Sequence, residues 1–165
     1  MLFVLGVIGL LSTLAMPALS RARGSAQASS AIATLKMINS AQLSFAIGCG
    51  LGFYAPDLPA LGMKPPMSTD GFIPADMATA ATVLKSGYSF TVSGAPLATA
   101  PSSCNGLAVG QTSPGYTVVA DTLDPTLAPR YFATNADGLI YEHTATMSGV
   151  MPDVGPPATG EPVNR

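Results

Sequence analysis

Residues 1–48, MLFVLGVIGLLSTLAMPALSRARGSAQASSAIATLKMINSAQLSFAIG, decide how the rest of the chain is read. The first twenty, Met1–Ser20, contain no charged side chain. In helix they rise about 30 Å, the thickness of a bilayer's hydrocarbon core. Leu2, Phe3, Val4, Leu5, Val7, Ile8, Leu10, Leu11, Leu14 and Met16 supply the bulk of this run. Gly6 and Gly9 permit close approach of another helix. Pro17, near the end of the run, removes one backbone hydrogen bond and is expected to kink or loosen the helix there. Arg21 and Arg23 follow at once, where basic residues are expected to meet lipid headgroups. The helical pattern then continues: Ala28, Ala31, Leu35, Ile38, Gln42 and Phe45 lie three and four apart on one face. Gly48-Cys49-Gly50 supplies a stop. The stretch therefore predicts one long helix with an apolar half, 1–20, and an amphipathic half, 21–48.

The charge is divided in the same way. The helix carries Arg21, Arg23 and Lys36 and no acid, whereas the remaining 117 residues carry four bases and nine acids, for a net −2 over the chain. An acidic globular part with scattered bases argues against a strong nucleic-acid-binding surface. Charged residues make up only 10% of the chain and the mean hydropathy is +0.41, both partly set by the apolar run. The length suits one domain plus an anchor. Cys49 and Cys104 are the whole cysteine inventory. A single pair in an exported domain predicts a disulfide, and closing a loop of about 55 residues would stabilise by roughly 4 kcal/mol in the chain-entropy model.

Residues 51–77 carry five prolines and three glycines and read as an irregular connector with a turn at Asp70-Gly71. ADMATAATVLK, 75–85, is expected to form one or two short helical turns. GYSFTVSG, 87–94, reads as a strand with Tyr88, Phe90 and Val92 on one face. Residues 95–114 read as a loop of small residues and YTVVA, 116–120, as a second strand. RYFATN and LIYEHT flank Ala136-Asp137-Gly138 and predict a hairpin, with Gly138 suited to a positive φ. The Pro/Gly-rich tail, 148–165, is expected to be loosely ordered. The prediction is an α+β domain, 49–147, in which the amphipathic helix half covers an antiparallel sheet of about four strands.

The segment from Val4 to Phe45 resembles the N-terminal helix of type IV pilins and of the pseudopilins of type II secretion. Val7-Ile8-Gly9-Leu10-Leu11 and Ala15-Met16-Pro17-Ala18 fall where that family has its apolar and proline segments. The hairpin RYFATNADGLIYEHT is similar to the last strands of many pilin-like proteins. The family begins with a basic leader, a glycine before the cut, an N-methylated phenylalanine and a glutamate soon after. Aligned on Pro17, that glutamate would fall immediately before Met1, and the first acid here is Asp57. The expectation is therefore a sequence that starts at an internal methionine, with the processing and N-terminal pairing residues on no position of it.

The resemblance implies a pilin-like fold and a non-enzymatic structural subunit with no cofactor. Such a subunit waits in the bacterial inner membrane with a periplasmic head, then meets the pilus or secretion assembly machinery and stacks into an extracellular helical homo-oligomer. Leu2 to Pro17 would form the assembly core, and Cys49–Cys104 would clamp the helix end to a domain loop. Two alternatives stay open: a secretion pseudopilin, and a membrane-anchored periplasmic binding module that never polymerises. His143, the only histidine, reads as a solvated strand residue beside Glu142. Asp121, Asp124, Asp137 and Glu142 cluster near the hairpin in sequence without EF-hand spacing, so no metal site is predicted. No Walker, GxSxG, HExxH or dinucleotide-binding pattern is present.

Overall fold

The computed structural model describes the backbone of residues 2–163 and the side chains of residues 19–163. Helix α1 spans Leu2–Gly48, 47 residues and about 70 Å at the standard rise. It stops where the glycines predict. The amides of Cys49 and Gly50 both donate to the Phe45 carbonyl, and that of Gly52 to Ala46. Leu51 and Gly52 take φ of 53° and 93°, the left-handed turn that closes a helix. Gly50 has no room for a side chain: a Cβ there would sit 2.1 Å from the Phe53 carbonyl oxygen.

The connector holds one short helix, α2 (Leu58–Gly62). The Asp57 carboxylate accepts from the Ala60 amide at 2.8 Å, and Pro59 occupies the first turn, where its missing N–H is not needed. Leu58 and Leu61 are fully buried, so α2 is a plug of core beside α1.

Six strands follow in a meander, each antiparallel to the next: β1 (Thr82–Lys85), β2 (Tyr88–Ser93), β3 (Thr117–Thr122), β4 (Tyr131–Asn135), β5 (Ile140–His143) and β6 (Glu161–Pro162). The sequence predicts about four, and the two additional strands are the short outer ones. Residues 82–85 are a strand rather than a helical turn, and only Ala75–Met77 forms a single 3₁₀ turn. Ser86 and Gly87, with φ of 50° and 83°, make the two-residue link that folds β1 onto β2. Register puts Val83, Phe90, Ala120 and Phe132 in one row across four strands. Together with Tyr88, Val92, Val118 and Ile140 they meet the α1 stripe Ala28, Ala31, Leu35, Ile38 and Phe45 in one buried cluster.

The opposite face of the sheet has its own smaller core, Val119, Ala133, Tyr141, Met147 and Met151. Met151 comes from the segment expected to be loose, and Met147 immediately precedes it. Residues 148–163 are instead stitched down. Buried Asn135 donates to the carbonyls of Pro152 and Gly155, the Ala136 amide donates to Asp153, and the Val163 amide donates to Ile140. Proline and glycine deny this tail a long regular element but not a fixed path, because side chains and turn amides satisfy its backbone.

Candidate functional site

The side chains of the predicted assembly residues, Leu2, Phe3, Val4, Leu5, Val7, Ile8, Leu10, Leu11, Leu14, Met16 and Pro17, lie outside the described residues. Among the described residues, no helix is long and apolar enough to cross a membrane. What the structure places is the second half of α1, and its two long faces differ in chemistry.

The inward face is the predicted stripe, with all six positions from Ala28 to Phe45 buried. Two polar side chains on this side fasten the head to the helix. Gln42 is fully buried. Its Nε2 donates to the Ala55 carbonyl at 2.9 Å and its Oε1 accepts from the Ala55 amide at 3.0 Å. One side-chain amide thus satisfies one backbone residue completely, as a neighbouring strand would. Asn39 reaches three parts of the sheet side: its Nδ2 donates to Thr134 Oγ1 (2.8 Å) and to the Gly138 carbonyl, and its Oδ1 accepts from the Tyr116 hydroxyl (3.0 Å). Burial raises the Tyr116 phenol pKa far above its ordinary value, so it stays protonated as a donor. At Gly24 the β3–β4 loop presses directly on the helix, and a Cβ there would meet the Leu127 carbonyl oxygen at 2.2 Å.

The disulfide is present as predicted. Cys49 and Cys104 are bonded across 55 residues, with the Cys104 amide also donating to the Cys49 carbonyl at 3.1 Å. It ties the long β2–β3 loop to the residue that ends α1.

The outward face carries a second pattern, which the apolar periodicity does not mark. Leu19, Ala22, Ala26, Ser29, Ala33, Lys36, Ser40, Leu43 and Ile47 recur at alternating intervals of three and four, and every one is exposed. The seam contains one charge, Lys36, and ends on large apolar side chains, with Ile47 77% exposed. A helix face meant for water ordinarily carries charge at most of these positions. The available signal was the period of the small residues, the complement of the apolar stripe.

The remaining candidates separate. Arg130 pairs with Glu142 and lies over the Phe132 ring, 5.1 Å from its centroid. The two line a shallow cleft of about 490 Å³ with His143, Thr159 and Glu161. His143 is half-buried there. Asp124 accepts from the hydroxyl and amide of Thr126 and from the Leu127 amide, which lowers its pKa below the usual carboxylate value. Asp137 accepts from the Gly155 amide. Asp124, Asp137 and Glu142 are therefore distributed among different partners, while Asp121 Oδ1 is buried without a hydrogen-bond partner. Among the described residues, no three of His, Cys, Asp and Glu come together to hold a metal ion.

No family model, curated protein or solved structure matches the chain.

Proposed function

We propose that this chain is a structural subunit of a type IV pilus-like filament. It is held in the bacterial inner membrane by Met1–Ser20 with its head in the periplasm, and is then stacked with its copies through α1. The observation that carries this reading is the outward seam of α1. The head covers one face of the helix and leaves the other exposed as a seam of small and apolar residues with one charge, Lys36, flanked near its start by Arg21 and Arg23 and continuing the uncharged run 1–20. Small residues in such a row let helix backbones approach closely, and apolar ends favour exclusion of water. A plain membrane anchor needs the apolar run but has no use for the seam. The charge distribution agrees, because the helix is basic and the head acidic, so successive subunits attract where a helix passes a neighbouring head.

The test is expression in cells that carry a pilus assembly machine, with immunogold electron microscopy of the surface. Wild type is expected in extended fibres. Ala33→Glu, which places a charge on the exposed seam and touches no core residue, is expected to abolish them while the head keeps its disulfide and far-ultraviolet spectrum. Fibres unaffected by Ala33→Glu overturn the seam argument. A wild-type chain that stays in the membrane fraction as a monomer overturns the filament reading in favour of the anchored module, and short periplasmic filaments alone overturn it in favour of the pseudopilin.

A further inference from the structure

The outer edge of β1 is an open hydrogen-bonding edge. β1 stands at the end of the sheet, and among the described residues β2 is its only strand partner. Because a two-residue link joins β1 to β2, Lys85 and Tyr88 flanking it form a hydrogen-bonded pair, as do Val83 and Phe90 two residues further on. The N–H and C=O groups of Thr82 and Leu84 must then point away from the sheet. Neither residue's backbone has another partner among the described residues. Leu84 also turns its side chain outward and is 65% exposed. Proteins usually guard such an edge with charge. Here Thr79, Ala80, Ala81, Thr82 and Leu84 are all exposed and uncharged, and the one charge on the strand, Lys85, is neutralised by Asp76 at 3.1 Å.

We propose that this edge pairs with β1 of a second copy, antiparallel about a two-fold axis normal to the sheet and centred on Val83. The geometry selects that register. Opposite residues in an antiparallel pair share a face, so the axis must pass through a residue rather than between two. With the axis at Val83, Thr82 lies opposite the second copy's Leu84 and Leu84 opposite its Thr82. All four outward backbone groups of each copy then find partners. Lys85 lies opposite Ala81, so no like charges meet, and the two exposed Leu84 side chains come within diagonal contact distance, about 7–8 Å. The result is one continuous sheet through two heads. This pairing does not depend on α1, and it links heads whether or not the helices stack; in a filament it would join subunits of adjacent fibres side by side.

The test uses the full chain in mild detergent with two single variants, Ala81→Cys and Lys85→Cys. In the proposed register these positions form a non-hydrogen-bonded pair with side chains close enough to bridge. Like positions lie about 13 Å apart, beyond disulfide reach. Mild oxidation is expected to give an interchain cross-link in an equimolar mixture and none in either variant alone. Adding Leu84→Pro to both is expected to lower the yield at least about tenfold, because it deletes the outward N–H in each copy and leaves the β1–β2 ladder intact. No cross-link in the mixture, or equal cross-linking in the single variants, overturns the pairing. A chain that cross-links here yet forms no fibres overturns the filament reading alone, and fibres from a chain that fails to cross-link overturn this inference alone.

Discussion

Replacing Gln42 with leucine tests how the head is fixed to the helix. Gln42 and Ala55 are both fully buried, and their two mutual hydrogen bonds, 2.9 and 3.0 Å, exclude water on both sides. Leucine nearly preserves the volume, so the cavity contribution is small. What changes is that the Ala55 N–H and C=O lose their partners while remaining buried, at about 1–3 kcal/mol each. The apolar gain of leucine over glutamine offsets part of this, on the order of 1 kcal/mol. The expected destabilisation is about 3 kcal/mol, a large fraction of the 5–15 kcal/mol typical of a domain. Urea unfolding of the full chain in mild detergent measures it: at a slope of about 2 kcal/mol/M the midpoint falls by roughly 1.5 M. Amide hydrogen exchange supplies the local readout, since the Ala55 N–H is expected to lose protection before the sheet amides do. An unchanged midpoint with the Ala55 amide still protected would refute the reasoning, because it would mean that the connector reaches its place without the pair.

Cys104→Ser opens the 55-residue bridge and is expected to destabilise the head by about 4 kcal/mol, lowering its melting temperature by roughly 15 °C in a circular-dichroism melt. Reductant should produce the same shift in wild type and none in the variant; a melt indifferent to both would remove the clamp from the account. Asn135→Ala deletes the donor to Pro152 and Gly155 and is expected to free the tail without unfolding the sheet. Limited proteolysis should then cut within residues 148–163 at least about tenfold faster, in line with a local loss of about 1.5 kcal/mol or more, and wild-type resistance in the variant would show that Met147, Met151 and the remaining backbone hydrogen bonds hold the tail without Asn135.

The parts of the fold that were legible in the sequence are those whose signal is local. The α1 stripe is a periodicity, the stop at Gly48-Cys49-Gly50 is a backbone requirement, and the hairpin about Gly138 carries its turn residue with it. β1 was hidden because ADMATAATVLK is rich in alanine, and its strand state is set by pairing with β2 rather than by propensity. β6 was hidden because Pro162 argues against a strand everywhere except at an edge, which is where it sits. At the candidate site, the burial of Gln42 was readable from its place in the stripe. Its partner, thirteen residues on in an irregular segment, was not, and neither were the contacts of Asn39, which lie 77, 95 and 99 residues away. The outward seam differs from these. Its period is present in the sequence but is faint, because alanine and serine carry no strong signal of their own.

Under the filament proposal, the arrangement on α1 separates folding from assembly along a single element. Among the described residues, the contacts that fasten the head to the helix approach from one side: the apolar stripe, the Gln42–Ala55 pair, the Asn39 contacts and the Gly24 approach. The two polar fastenings end largely on backbone groups or small hydroxyls, so they hold position without requiring bulk on the far side. The outward seam is therefore free to vary in shape and charge without disturbing the head's core. A seam substitution such as Ala33→Glu is a surface change, expected to stay within about 0.5 kcal/mol in stability. A stripe substitution such as Leu35→Ala empties a fully buried site, at about 2–5 kcal/mol. The two kinds of variant thus divide the helix cleanly: loss of fibres with an intact head identifies assembly, and loss of the head identifies folding.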